Sequence, residues 1–234
     1  MENILLPSTI EFNKTDDKNT AEVVITPCHQ GYGTTIGNAL RRVLLSSLPG
    51  AAVESIKING AQHEFSAIEG VQEDVIEIIL NMKDLAVKCH SDEPVTLTLS
   101  KKGVGPVTAG DIEKNSDIEI ANPKMVICHL TDKTPFEMEI TVGNGRGYVA
   151  AAEKDTSHYD LGTTAIDSLY TPIRDIGYNV DLTRVGDVTD YEKLTLAVTT
   201  NGTITPKQAV GQATKILMSH FSLLQDLAGD GSNE

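Results

Sequence analysis

The hydrophobic positions of the chain fall into two long helical stretches near its ends and a run of period-two segments between them. The first helical stretch is Gly31–Gly50, GYGTTIGNALRRVLLSSLPG. At about 100° per residue, Ile36, Leu40, Val43, Leu44, Ser47 and Leu48 share one broad arc. Gly31 and Gly33 break what precedes the helix, Thr34 or Thr35 is placed to cap its start, and Pro49-Gly50 is expected to stop it. Leu45 falls opposite Ile36, outside the arc, with Arg41 and Arg42 on either side of it. The second helical stretch opens at Thr205-Pro206, a cap followed by the one helical position where proline loses nothing. Val210, Ala213, Leu217, His220, Leu224 and Leu227 recur at three–four spacing, and Ile216 and Leu223 add a second row. Two apolar rows exceed what one shallow core contact requires.

Between these helices the period is mostly two. An edge strand is expected near Ile10–Phe12, and Ala21–Thr26 reads as a strand ended by Pro27. Strands follow from Val53 through Ile58, at Val95–Ser100, Ile118–Ile120, Met125–Leu130 and Phe136–Val142. Gly143–Gly147 (GNGRG) reads as a glycine-rich turn and residues 153–163 as a polar loop. Gly177–Arg184 and Lys193–Thr200 are further strands. One helical interruption is expected, Glu69–Lys83, with Val71, Val75, Ile78, Ile79 and Met82 on one face and acids in its first turns. The economical arrangement is an α+β chain. Its two ends, 1–49 and 175–234, form a discontinuous subdomain of two long helices plus antiparallel strands; the middle, 50–174, is an inserted strand-rich subdomain.

Composition narrows the function. The net charge is −14, and by count the middle carries −9 and the ends −5, so neither piece has the overall basic balance of a typical nucleic-acid binder. Cys28, Cys89 and Cys128 are odd in number and widely spaced, which indicates neither a disulfide framework nor a zinc site and fits a reducing cytoplasm. The start MENILLPSTIEF lacks the features of a signal peptide, and no apolar run approaches membrane-spanning length.

Spacing alone yields no catalytic or metal-binding constellation. Gly31-x-Gly33-x-x-x-Gly37 resembles a dinucleotide-binding turn, but its third glycine comes one residue late and its only acid in range, Glu54, is misplaced. A tight strand-to-helix turn with a close-packing glycine is the simpler reading. His63-Glu64 lacks the second histidine of a zincin, and the acids Glu69, Glu73, Asp74 and Glu77 read as a solvated helix face. The informative feature is Arg41, Arg42 and Leu45, because arginine beside an apolar anchor is the composition of an interface hot spot. A symmetric homodimer through the terminal helices would cover the second apolar rows, with Ile36, Leu40, Leu44, Leu217, His220, Phe221 and Leu224 as its interface.

The stretch GYGTTIGNALRRVLLSSLPGAAV resembles the first helix of the bacterial RNA polymerase alpha-subunit family. The resemblance continues in order through HEFSAIEGVQEDVIEIILNMK, GVGPVTAGDI, ICHLTD, GNGRGYV, YTPIRDIGYNV, TRVGDVTDYEKLTL and TNGTITPKQAV, covering nearly the whole chain. It implies the N-terminal domain of that family: a dimerisation subdomain built from the chain ends, an inserted subdomain, and a homodimer on which the beta and beta-prime subunits assemble. It also implies that the active site and its magnesium belong to beta-prime, so that this chain holds no catalytic residue and no cofactor. Arg42 matches the family's beta-contacting arginine, with Leu45 one turn on; Lys83 and Arg184 match residues of subunit-contact regions. Asn144, Ala150 and Asp175 depart from residues common in the family. The resemblance leads us to expect linker-like AGDGSNE where the family continues into a C-terminal DNA-binding domain, with that domain expected to be absent from this chain, and it implies a bacterial cytoplasm or a plastid. A nucleotide-binding enzyme using the Gly31–Gly37 turn and a homodimeric interaction protein outside transcription are the alternatives.

Overall fold

A computed structural model describes residues 4–229; the tail after Gly229 lies outside them. The chain divides into two compact units, with joints between Leu48 and Pro49 and between Pro172 and Ile173. The first unit is discontinuous and the second is inserted within it.

The first unit contains β1 (Thr9–Lys14), β2 (Thr20–Cys28) and α1 (Tyr32–Ser46). The second holds β3 (Pro49–Ile58), α2 (Val75–Lys83), β4 (Val87–Cys89), β5 (Val95–Lys101), β6 (Gly105–Thr108), β7 (Ile118–Ile120), β8 (Val126–Leu130), β9 (Phe136–Arg146), β10 (Tyr148–Val149), β11 (Thr163–Ala165) and β12 (Ser168–Leu169). The chain then returns to the first unit with β13 (Ile173–Val185), β14 (Val188–Thr200) and α3 (Pro206–Gly229).

In the first unit an antiparallel sheet runs β1-β2-β14-β13. Alternate residues of its central strands, Val23 and Ile25 on β2 and Leu194, Leu196 and Val198 on β14, form one side of the core. Leu40, Leu44 and Leu48 from the first helical stretch and Ala209, Val210 and Ala213 from α3 close it. Strand β2 extends beyond the expected end through Pro27 to Cys28. The proline is tolerated because β1 pairing stops at Thr26 and the β14 register shifts beside it, so no ladder bond needs its missing N–H. At the start of α3 the hydroxyl of Thr205 accepts the Gln208 amide at 3.3 Å, while the Gln208 side chain accepts the Thr205 amide at 2.9 Å.

In the second unit β11-β3-β9-β5 form an antiparallel sheet, flanked by the pairs β4–β7, β6–β8 and β10–β12. Phe136, Met138, Ile140 and Val142 on β9 and Leu97 and Leu99 on β5 alternate inward against Val75, Ile78 and Met82 of α2. On β3 the inward set changes parity, from Ala51 and Val53 to Ile56 and Ile58. A bulge between Val53 and Ser55 absorbs the extra residue.

Three expectations here need correction. Helix α2 begins at Val75 rather than Glu69, because Gly70 adopts a positive φ of 77°, Val71 bridges to Leu130, and the Asp74 carboxylate caps by accepting the Glu77 amide at 2.8 Å. Helix α1 ends at Ser46, before Pro49 as expected, but Pro49-Gly50 open β3 instead of supplying a left-handed glycine cap. Gly50 is required there because a Cβ would lie 2.0 Å from the Tyr170 carbonyl oxygen. Gly143–Gly145 belong to β9 rather than a turn, which is confined to Gly147 at φ 65°. Gly143 admits the Glu54 carboxylate, whose Oε1 would sit 2.2 Å from a Cβ and which accepts the Tyr170 hydroxyl at 2.6 Å.

Candidate subunit-contact surfaces

Helix α1 begins without the expected side-chain cap. Its N-cap is Gly31 in the left-handed region at φ 84°, and Thr35 turns its hydroxyl back to the Gly31 carbonyl. The cap comes instead from β14: the Glu192 carboxylate accepts the amides of Gly31 and Gly33, each at 2.8 Å. The position where a pyrophosphate would meet a helix N-terminus is filled by a carboxylate of the chain itself. The dinucleotide reading of the Gly31–Gly37 turn fails on this geometry.

The glycines serve packing. A Cβ on Gly33 would lie 2.8 Å from Glu192 Oε2 and 3.0 Å from Val180 Cγ1; one on Gly37 would lie 2.8 Å from Tyr178 Cδ2 and 2.9 Å from Leu194 Cδ1. One helical step further, Arg41 Nε donates to the Ile176 carbonyl at 3.3 Å. Gly33, Gly37 and Arg41 thus meet Val180, Tyr178 and Ile176 in turn. Four helical residues rise about 6 Å and two strand residues rise about 6.6 Å, so the two ladders stay matched.

That placement fixes what α1 shows to solvent. Leu40 and Leu44, expected at a dimer interface, are buried in the first unit's own core at 5% and 0% exposure. Only Ile36 of that trio is partly open. Arg41 and Arg42 are exposed and Leu45 is 37% exposed. The Arg42 guanidinium has no hydrogen-bond or ion-pair partner among the described residues.

Helix α3 divides along its length. Ala209, Val210 and Ala213 are buried, Ile216 and Leu217 are half-buried, and beyond them the side chains leave the core. Met218, Phe221, Leu223, Leu224 and Leu227 are between 61% and 67% exposed. His220 is exposed with them and donates from Nδ1 to the Ile216 carbonyl at 2.8 Å. Of the expected interface residues on this helix, Leu217 straddles core and surface while His220, Phe221 and Leu224 are presented outward.

Lys83 and Arg184 lie on other elements. Lys83 ends α2 in the second unit and forms an ion pair with Asp167 at 2.7 Å. The Ala151 amide and then the Lys83 ammonium hold the Asp167 carboxyl below its ordinary range. Arg184 stands near the tip of the β13–β14 hairpin, its Nε donating to the Gly186 carbonyl at 2.7 Å. Asn144 donates to the Ser91 carbonyl at 2.7 Å and ties β9 to the loop after β4.

Among the described residues no group of three or more histidines, cysteines or acids is arranged to hold a metal. Burial raises the Cys28 thiol above its ordinary value, with the Glu192 carboxylate adding to it, and pushes Cys128 up to about 12. Neither is poised as a nucleophile. No described helix is long and apolar enough to cross a membrane.

Residues 56–171 match the family model of the RNA polymerase Rpb3/RpoA insert domain. Over 227 residues the chain is 48% identical to the DNA-directed RNA polymerase subunit alpha of Alkaliphilus metalliredigens, covering 97% of this chain and 72% of that protein. The proteins of the same name from Desulforamulus reducens and Symbiobacterium thermophilum are 50% and 49% identical over 210 and 215 residues. Those matches cover 90% and 92% of this chain and 67% and 68% of the relatives. The chain belongs to the DNA-directed RNA polymerase alpha-subunit family. An alpha-family chain is a component of an RNA polymerase assembly. The break in helical periodicity singles out Arg41, Arg42 and Leu45, and all three are exposed on α1. Periodicity gives no sign of Glu192, because a cap supplied from 161 residues away leaves no local signal.

Proposed function

We propose that the chain acts as the homodimeric scaffold of an RNA polymerase, on which the beta and beta-prime subunits assemble. The observation that carries this reading is the outward presentation of two separate surfaces on one unit. Met218, Phe221, Leu223, Leu224 and Leu227 form an uncovered apolar surface at the end of α3, and Arg42 with Leu45 forms an uncovered charged and apolar edge on α1. A second copy is the occupant of the first, since an isologous contact covers the same side chains on both protomers. A large polymerase subunit is the occupant of the second. Lys83 and Arg184 add contacts on the second unit and on the hairpin. Nucleotidyl transfer and its magnesium belong to beta-prime, and this chain contributes no catalytic residue and no cofactor. Its work takes place in the cytoplasm, without direct nucleic-acid contact from these residues.

Arg42→Ala tests the assignment. The expected result is an intact dimer that loses stable beta capture. Truncating a guanidinium buried against an acid or carbonyl typically costs about 2–5 kcal/mol. A mutant that holds beta as tightly as the wild type would remove Arg42 from the contact.

A further inference from the structure

Strand β13 is an edge of the first unit's sheet, and its ladder with β14 runs unbroken from Asp175 to Thr183, with a register shift at each end. The Thr200 amide donates to the Asn19 carbonyl, in line with the β14–β2 ladder. Backbone groups alternate between the two sides of a strand, so Leu194, Leu196, Val198 and Thr200 turn theirs to β2, and the residues between them turn theirs to β13. In that register Gly177, Asn179 and Asp181 use their backbone groups on β14, whereas Ile176, Tyr178, Val180 and Leu182 point theirs away from the sheet. The bond from Arg41 Nε to the Ile176 carbonyl agrees with this parity and takes the first outward acceptor. Among the described residues no hydrogen-bond partner stands on the outward backbone groups of Tyr178, Val180 and Leu182, and Leu182 is 73% exposed. An unbulged edge with a row of unpaired N–H and C=O groups is a template for another extended chain.

We infer that the β13 edge from Tyr178 to Leu182 takes an extended segment of the beta subunit as an added strand. Main-chain donors and acceptors repeated at alternate residues are matched by another extended backbone, which makes a polypeptide strand the ligand this edge selects. The position of the edge assigns it to beta rather than to a second copy. One end lies at Arg41, the neighbour of Arg42, and the other just short of Arg184, so the open stretch runs between two places proposed above for large-subunit contact. The proposed self-contact lies elsewhere, on α3. Arg41 at one end and the register shift after Thr183 at the other limit where an incoming strand can pair, which restricts its register. The inference rests on the beta contact proposed for Arg42 and extends it from side chains to backbone.

Residue-resolved amide exchange on the full-length alpha homodimer, alone and bound to purified beta subunit, tests this. In the free dimer Gly177, Asn179 and Asp181 should exchange slowly, and Tyr178, Val180 and Leu182 fast. Beta should slow the second set about tenfold or more, the scale of gaining one backbone hydrogen bond each, and leave the first set as it was. Leu182→Pro removes an outward N–H and no ladder bond, while Leu182→Ala removes the same side chain and keeps the N–H. The proline variant should bind beta about tenfold more weakly than the alanine variant. Equal binding by the two overturns the inference, as does a beta complex in which Tyr178, Val180 and Leu182 still exchange fast. Slow exchange of these three in the dimer before beta is added gives the edge to a second copy and overturns it too. If Leu182→Pro does not fold, the exchange pattern of the wild type decides. Beta capture that survives Arg42→Ala and still slows the three amides removes Arg42 from the contact but upholds the added strand; a dimer that captures no beta overturns both.

Discussion

Replacing Phe221 and Leu224 by serine removes two apolar side chains from the bare end of α3. Both are 61% exposed in the protomer, so neither contributes much to its own core. Fully burying a leucine or phenylalanine is worth about 1.5–3 kcal/mol, and the exposed share of each therefore holds about 0.9–1.8 kcal/mol that a partner can recover. In a two-fold dimer each substitution counts twice, which brings the loss to about 4–7 kcal/mol. At 1.4 kcal/mol per decade this raises the dimer dissociation constant about 10³- to 10⁵-fold. Sedimentation equilibrium over a dilution series reads the change directly. The protomer fold should survive, since the substituted groups already face water; far-ultraviolet circular dichroism of the dilute monomer checks this. A double variant with the dimerisation constant of the wild type would refute α3 as the dimer surface, whatever its effect on polymerase assembly.

Gly37→Ala puts a methyl group within 2.9 Å of Tyr178 and Leu194 and should destabilise the first unit by roughly 1–3 kcal/mol, measured as a fall in thermal midpoint of several degrees; an unchanged midpoint would mean α1 is free to lift from the hairpin. Asp167 has a carboxyl held below its ordinary 3.8 by the Ala151 amide and Lys83. Its stabilising contribution is therefore present above pH 3.8 and lost as pH falls through the lowered folded value. Asp167→Asn should flatten the acid limb of urea unfolding below pH 4 and leave its shape above pH 5 unaltered, and an acid limb identical to the wild type would rule out that linkage. Lys154, half-buried and donating to the Glu54 carbonyl, the Ile166 carbonyl and the Ser168 hydroxyl, has its pKa lowered by desolvation despite the nearby Glu54 and Asp167 charges. The lowered value makes folding more favourable as pH rises towards 10.5, and proton titration of a Lys154→Met variant against the wild type checks the sign.

Much of the architecture was legible in the chain because it rests on periodicity. The alternation of Phe136, Met138, Ile140 and Val142 marks β9 without help from its neighbours, and Thr205-Pro206 marks the start of α3. The parity change on β3 was also visible in principle, since Val53 and Ile56 are three apart, but only the pairing with β9 shows that a bulge at Glu54 accounts for it. Glycines misled where close approach rather than turning explains them. Gly50, Gly143 and Gly145 lie in strands because Tyr170 or Glu54 occupies the space of a Cβ. A single sequence does not distinguish that use from a turn.

The sequence by itself determined the two amphipathic helices, the alternating strands and the stray Arg41–Arg42–Leu45 edge, because each depends on the spacing of side chains along one element. Tertiary structure alone decided how the apolar surface of those helices is divided. Leu40 and Leu44 are consumed by the sheet of their own unit, while Phe221 and Leu224, equally apolar and equally periodic, extend beyond it. It also decided that a carboxylate on β14 caps α1, since a bond between residues 192 and 31 exists only after the hairpin has folded back onto the helix. Periodicity says which side of a helix is apolar; the length of the sheet beneath it says how much of that side is left for a partner.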